Sequence, residues 1–331
     1  MKESIMKTRK SYIVLGIVAL CALLFPAFAA AGGQGEAADY PTKKITYIIP
    51  FNPGGQSDIT AQFQRKPLKE ALGVDIILKH MPGAGGAVAW SNLAKTEGDG
   101  YTISGNNIPH IIIQPLVRED AGYETEQLKP VYLFQTTPIG FAVAKDSEFD
   151  SLEELIDYAK ENPGQITVSG SGTHSGHHLA LLQLQHITGA EFTYIPATGA
   201  APSVANFLGG HTMAIMANSN DLYAQTDKMK ILAIGTEDRF KQLPDVPTFI
   251  EEGVDMTAGI DRGVCVPPDT PDAIVEVLED AFAEVCKDET FVSEMEKMAF
   301  QVHNIGAKEF ADYIERKKKS TIEVLKELGE I

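Results

Sequence analysis

Cysteine is nearly absent: the 331-residue chain has three, and one of them, Cys21, lies in an apolar N-terminal run. The other two, Cys265 and Cys286, are too few for a disulfide framework. An oxidising compartment would permit one bridge if they met, and both read as core residues. Positive charge is also scarce, with 28 Lys and Arg against 45 Asp and Glu and a formal net charge of −17. So acidic a surface argues against nucleic acid and anionic membrane as partners, and it gives an anionic ligand no long-range steering. Any anion site must then be made locally, from backbone dipoles or a single Arg. Beyond the N-terminus no segment has the roughly 18 apolar residues of a membrane span. Nucleotide and hydrolase signatures are missing too. Gly170, Gly172 and Gly176 miss the G-x-G-x-x-G spacing by one residue, no G-x-x-x-x-G-K-[ST] occurs, and no Ser centres a G-x-S-x-G. There is no low-complexity tract and no internal repeat.

What is present starts with "MKESIMKTRK" followed by "SYIVLGIVALCALLFPAFAA", a basic region, an apolar region and an Ala-Phe-Ala pattern at Ala27 to Ala29. This is the pattern of a secretory signal peptide over residues 1–30, cleaved near Ala29 to Ala31. Pro26 and the small residues after it speak against an uncleaved anchor, and Leu20 before Cys21 is too large for a lipoprotein signal. Removing these residues takes away four basic and one acidic side chain, which moves the formal charge from −17 to −20. About 300 residues then remain, and two domains are the natural expectation for that length.

Apolar β-rich runs alternate with helical patterns: "KITYIIPF", a helix from about Ser57 to Leu72, "VDIILKH", a helix from about Ala87 to Lys95, and "GYTISGNN". This is the pattern of βαβ units on a mixed or parallel sheet. Pro67 is expected to kink or restart the first helix. "LKPVYLFQTTPIGFAVAKDS" reads as two strands broken near Thr137-Pro138, where the chain would cross between domains. A second α/β series follows. Its first helix, "SLEELIDYAKENPG", has a 3.6 period, a capping box of Ser151 and Glu154, and an Asn162-Pro163-Gly164 stop. From Gly259 a strand, "RGVCVPP", leads into helices at 271–287, 289–298 and 307–329, with "QVHNIG" as the one strand among them. The expected organisation is a first lobe from 40–140 and 259–331, enclosing a second lobe from 141–258.

Two glycine-rich turns carry the chemistry. "PFNPGGQSD", residues 50–58, follows a strand and opens a helix, and "VSGSGTHSGHHLA", residues 168–180, does the same in the second series. Such turns present backbone N–H groups at the positive end of a helix dipole, where an anion can sit. One turn in each unit suggests a ligand clamped between them. His174 and His178, four apart, would share a helix face with His186 two turns on, a spacing that admits a metal. No Cys, Asp or Glu lies near them in sequence, so structural or pocket-lining histidines are the preferred reading. Asp58 sits either in the first turn of its helix, favoured by the dipole, or facing the pocket, where it would select a ligand bearing an ammonium or hydroxyl. Arg262 is the best candidate partner for a second carboxylate, since its planar fork suits bidentate pairing, with a surface salt bridge as the alternative.

In order along the chain, "YPTKKITYIIPFNPGGQSDITAQ", "MPGAGGAVA", "GDGYTIS", "GSGTHSGHHLA", "FLGGHTMAIMAN", "LAIGTEDR" and "LPDVPTFIEEGV" resemble the substrate-binding receptors of tripartite tricarboxylate transporters, the Bug-type receptors. The likeness runs from about residue 40 to the C-terminus. It implies a two-lobed α/β periplasmic binding protein (type II-like), its domains joined by two crossing strands, with a ligand cleft between them. It also implies a monomer without cofactor, metal or catalysis, which captures a small organic acid and delivers it to membrane permease subunits. By similarity the ligand-binding residues are Phe51, Pro53, Gly54, Gly55, Ser57 and Asp58 in one pincer loop and Ser171, Thr173, His174 and Ser175 in the other. Asn107, Thr198 and Asn218, with Arg262 from its own chemistry, complete the set. Hinges are expected at Thr137 to Gly140 and Thr257 to Arg262. Two stretches depart from the family: "PATG", residues 196–199, lacks a common Tyr, and "GIDRGV", residues 259–264, has Asp261 and Arg262 where many members have Trp. Both should lie towards the distal end of the cleft.

Overall fold

A computed structural model describes residues 39–331. The signal peptide read at 1–30, with Cys21, lies outside the described residues. Residues up to Thr42 belong to an N-terminal unit, and Lys43–Ile331 form a second compact unit.

The chain runs β1 (Ile45–Ile49), α1 (Gln56–Leu72), β2 (Ile76–His80), α2 (Ala87–Leu93), β3 (Thr102–Ile108), α3 (His110–Val117), β4 (Lys129–Ala144) and α4 (Leu152–Glu161). It continues through β5 (Thr167–Gly170), α5 (Gly176–Thr188), β6 (Thr193–Pro196), α6 (Ala200–Leu208), β7 (Ala214–Asn218), α7 (Ser219–Tyr223) and β8 (Met229–Ile234). It ends with β9 (Gly259–Val266), α8 (Asp272–Lys287), α9 (Glu289–Lys297), β10 (Gln301–Gly306) and α10 (Ala307–Glu327).

The fold is a two-lobed α/β binding-protein architecture. In one lobe β1 pairs in parallel with β2 and β3, β3 pairs antiparallel with β9, and β9 and β10 flank the first part of β4. In the other, β5 pairs in parallel with β6 and β7, while the end of β4 pairs antiparallel with β7 and β8. Each lobe has its own apolar core. Trp90, Ile111, Leu133 and Phe310 lie in the first, and Phe141, Leu155, Leu181 and Phe249 in the second.

The strand break expected at Thr137-Pro138 does not occur: β4 is one strand of 16 residues. Up to Pro138 it pairs with β9, and from Ile139 it pairs with β7 and β8. Proline sits where one ladder gives way to the other, so its missing N–H interrupts neither in mid-run. The chain does cross there, and it crosses back beside it, where the Ile139 N–H donates to the Ala258 carbonyl at 2.9 Å just ahead of β9.

Other local expectations resolve in detail. α1 runs through Pro67 without a break, because the carbonyl that Pro67 leaves unbonded belongs to Phe63 on the exposed face. Ser151 Oγ accepts from the Glu154 N–H at 3.1 Å, but the Glu154 carboxylate reaches back to the Asp150 N–H instead of closing the box on Ser151. Cys265 and Cys286 are both free and buried.

Candidate functional site

The first turn leaves β1 at Ile49 and enters α1 at Gln56. Gly54 has φ of +79° and open space where a Cβ would point, so glycine is needed here for its backbone angle and not for a close approach. That angle aims the Gly54 N–H at Asp58 Oδ2, 2.9 Å away. Asp58 Oδ1 is held by His80 Nε2 at 2.7 Å and by Gln62 Nε2 at 3.3 Å. Burial would raise the pKa of this carboxyl, but the Gly54 N–H and His80 outweigh it and hold the group below its ordinary value. Of the two placements open to Asp58, the first turn of the helix is the one found: it braces the turn and lines neither the inner chamber nor the outer groove.

The second turn leaves β5 at Gly170 and enters α5 at Gly176, with Ser175 Oγ accepting from the His178 N–H at 3.3 Å. The Ser171 N–H donates to His177 Nδ1 at 3.0 Å, and the His174 N–H to His178 Nδ1 at 3.2 Å. Because His177 Nδ1 accepts, its proton sits on Nε2, which donates to Asn218 Oδ1 at 3.1 Å. Asn218 Nδ2 in turn donates to Asp221 Oδ2 at 3.1 Å. The His174 carbonyl accepts from Gln114 Nε2 of the other lobe, and its ring faces Glu330. With both His177 nitrogens and His178 Nδ1 taken by protein partners, these histidines order a turn; they do not present a set of ligating nitrogens.

This changes the reading of the pincers. The N–H groups of Gly54, Ser171 and His174 are already spent on Asp58, His177 and His178. Polar side chains also face the space between the lobes. They surround an inner chamber of about 30 Å³, lined by Phe51, Gly55, Gln56, Ser57, Asn107, His110, Ser171, Ala200, Asn218, Ile260 and Arg262. Room for about two water molecules is room for the end of a ligand and no more.

Arg262 forms the floor. It lies on β9 opposite Asn107 of β3 and Gln135 of β4, and only 5% of it is exposed. Nη1 donates to Thr137 Oγ1 at 2.9 Å and to the Ile260 carbonyl at 3.2 Å, while Nε has no protein partner. Gln56 Oε1 and His110 Nδ1, on the same chamber wall, are likewise without partners. Buried polar atoms left open in this way mark where a ligand or water completes the hydrogen bonding. Burial lowers the Arg262 pKa to about 9, against the pull of Asp221 and Asp261, so the guanidinium stays charged at neutral pH. Burial also lowers His110 to about 3 and His177 to about 4, which leaves both rings neutral. The chamber thus offers one cation, neutral amides and hydroxyls, and no acidic side chain in its wall.

An outer groove of about 610 Å³ continues from the chamber across Phe51 and Ser171, which line both. Thr173 and Thr198 lie in this groove, beside Pro82–Gly86, Arg118 and Pro196–Ala197. Asn52 Nδ2 donates to the Thr198 carbonyl at 3.3 Å and ties the lobes together at its edge. Pro53, Gly54, His174 and Ser175 line neither cavity. The two departures expected together at the distal end are separated: Arg262 is at the chamber floor, and Pro196 to Thr198 border the groove. Asp261 turns away from the chamber, accepting from Thr136 Oγ1 and Tyr313 Oη, each at 2.5 Å. Sequence reasoning missed Gln56, His110 and Arg118. Gln56 stood inside the quoted turn, whereas His110 and Arg118 belong to no motif and are brought in by α3 and the residue after it.

Two α/β lobes joined by β4 and β9, meeting over a small chamber with a buried cation, define a solute-binding protein of the two-lobed periplasmic type. The chain belongs to the tripartite tricarboxylate transporter receptor family, whose model matches residues 60–330. It is similar to the Bordetella pertussis protein BugT, with 30% identity over 77% of this chain and 80% of that one. A UPF0065 protein of Cupriavidus necator is 27% identical over 95% of each chain. Among solved structures, a periplasmic transporter aligns with a TM-score of 0.82 at 29% identity, covering 87% of this chain and 97% of its own. The R. palustris protein Rpa4515 with adipate aligns with a TM-score of 0.84 at 25% identity, covering 88% and 99%. The family is that of the receptors of tripartite tricarboxylate transporters.

Proposed function

We propose that this chain is exported to the periplasm, captures a small di- or tricarboxylate between its lobes as a monomer, catalyses nothing, and hands the ligand to the permease subunits of a tripartite tricarboxylate-type transporter. The observation that carries this reading is Arg262, a buried guanidinium with an open Nε at the floor of a chamber whose wall has no acid. A buried cation with an open N–H, near Asp221 and Asp261 but in direct contact with neither carboxylate, is a site for an anionic group of a ligand. In this reading the lobe boundaries fall near residues 141 and 259, and β4 and β9 act as the hinge. The test is a thermal-shift screen of residues 32–331 against mono-, di- and tricarboxylates, amino acids, aromatic acids and zinc. A ligand at 100 times its Kd stabilises by about 2.7 kcal/mol, a shift of several degrees. Stabilisation by di- or tricarboxylates supports the reading, and a response to amino acids or zinc alone rejects it.

Binding should also take up protons. Burial raises the Asp221 pKa to about 6, with the Asn218 amide and Arg262 opposing it. A bound carboxylate beside Arg262 adds negative charge near Asp221 and raises that value further. Affinity is therefore expected to rise as pH falls from 7 towards 5, while His110 and His177, at about 3 and 4, do not yet titrate. Because the folded value lies above the unfolded one, Asp221 contributes stability that is lost as pH rises through about 6. Titration calorimetry in buffers of different ionisation enthalpy should show proton uptake at pH 6.5, absent in Asp221→Asn. Equal heats across buffers for the unmodified protein would refute the coupling.

A further inference from the structure

The outer groove contains one cationic side chain, Arg118, and no Asp or Glu forms part of its wall. The inner chamber has the same composition, with Arg262 as its cation. In a chain with formal charge −17, two joined cavities that each present one guanidinium and no acid stand apart from the rest of the surface. The cavities meet at Phe51 and Ser171. At about 30 Å³ the chamber takes only the end of a molecule, so the remainder of any ligand anchored on Arg262 must lie in the groove. Between the two guanidinium groups the walls mix apolar side chains, Phe51, Pro82, Ala84, Pro196 and Ala197, with the uncharged polar groups of Asn52, Ser171, Thr173 and Thr198.

Arg118 is held loosely. Its Nε and Nη2 donate to Asp120 at 3.0 to 3.2 Å, and no protein acceptor among the described residues takes Nη1. The Asp120 side chain is 78% exposed, so this is a solvated ion pair that a ligand carboxylate can displace or share. Resting on the receptor reading above, we infer that Arg118 is the specificity-determining residue for the second carboxylate, and that the ligand is a linear dicarboxylate running from Arg262 to Arg118. A compact hydroxylated tricarboxylate such as citrate fits this arrangement less well, because two guanidinium groups leave its third carboxylate without a cationic partner.

The experiment measures Kd for succinate, glutarate, adipate, pimelate and suberate, with hexanoate and citrate as references, on the unmodified protein and on Arg118→Gln and Asp120→Asn. The readout is the ratio of the best dicarboxylate's affinity to that of hexanoate. Loss of a charge-assisted hydrogen bond should lower this preference by roughly tenfold to a hundredfold in Arg118→Gln, and Asp120→Asn should preserve or raise it. Trp90, the chain's single tryptophan, meets the Phe51 ring edge-on at 6.4 Å and supplies a fluorescence signal in both variants. If dicarboxylates bind the unmodified protein and Arg118→Gln keeps the full preference, Arg118 has no such role. Tighter binding of citrate than of every linear dicarboxylate also overturns the inference while leaving the receptor reading intact. If no carboxylate binds the unmodified protein at all, the receptor reading fails first and takes this inference with it.

Discussion

Arg262→Met is expected to lose carboxylate binding while the protein remains folded. Truncating one partner of a buried, hydrogen-bonded charge pair costs about 2 to 5 kcal/mol, or roughly thirtyfold to several thousandfold in Kd. Stability should move far less, for three reasons that oppose one another. Methionine fills a similar volume and removes the cost of keeping a guanidinium out of water. The substitution forfeits the bonds to Thr137 Oγ1 and the Ile260 carbonyl, but Thr137 Oγ1 keeps its contacts with Gln56 Nε2 at 2.6 Å and Gln135 Nε2 at 3.0 Å. Asp221, deprived of the nearby cation that lowers its pKa, holds its proton to higher pH, which lessens the cost of leaving a carboxylate buried there. Arg262→Lys should fall between the two, because it keeps the charge without the planar fork. Unchanged affinity in Arg262→Met, with a melting temperature within a few degrees, would make Arg262 a structural cation and move the anion site elsewhere.

Gly176→Val should hold the lobes apart. Gly176 begins α5 with an ordinary backbone angle, so the helix itself accepts valine. The obstruction is across the cleft: a Cβ there would lie 2.7 Å from Ile260 Cγ1 on β9 and 3.4 Å from His110 Cε1 of the opposite lobe. The two methyls of valine project further than that Cβ. Overpacking of this kind costs about 1 to 3 kcal/mol, which in a binding protein falls on the arrangement in which the lobes meet. Affinity should drop by roughly fivefold to more than a hundredfold. Small-angle scattering should report a larger radius of gyration than for the unmodified protein, and added ligand should fail to reduce it. Gly176→Ala should show a graded effect, since a side-chain turn of Ile260 relieves the shorter contact. Equal scattering curves for Gly176→Val and the unmodified protein would show that this contact does not govern how the lobes meet.

The local features of the chain were legible because they depend on near neighbours. Alternating apolar runs and helical periods placed β1, α1, β5 and α5 close to where they stand, and Ser151 and Ser175 both cap the helices that follow them. The glycine-rich turns were visible for the same reason: a strand must turn sharply to enter a helix, and only certain residues allow it.

What those turns do with their N–H groups was decided by residues remote in sequence. His80, 22 positions from Asp58, decided between its two sequence readings by tying its carboxylate into the turn. His177 took the Ser171 donor that a turn read in isolation would offer to an anion. The break expected in β4 vanished because strand continuity depends on which neighbours flank Pro138, and β7, β8 and β9 come from later in the chain.

By itself, then, the sequence determined two α/β units, their connecting strands, an acidic surface that requires any anion site to be built locally, and the motifs of its family. Tertiary structure alone decided that Arg262 lies at the floor of the inner chamber. It also decided that His110 lines that chamber and Arg118 the adjoining groove, so that two guanidinium groups 144 positions apart in sequence line neighbouring cavities. The physical reason is that periodicity and turn chemistry are local, whereas desolvation, charge balance and the competition for each donor are settled only when distant segments pack.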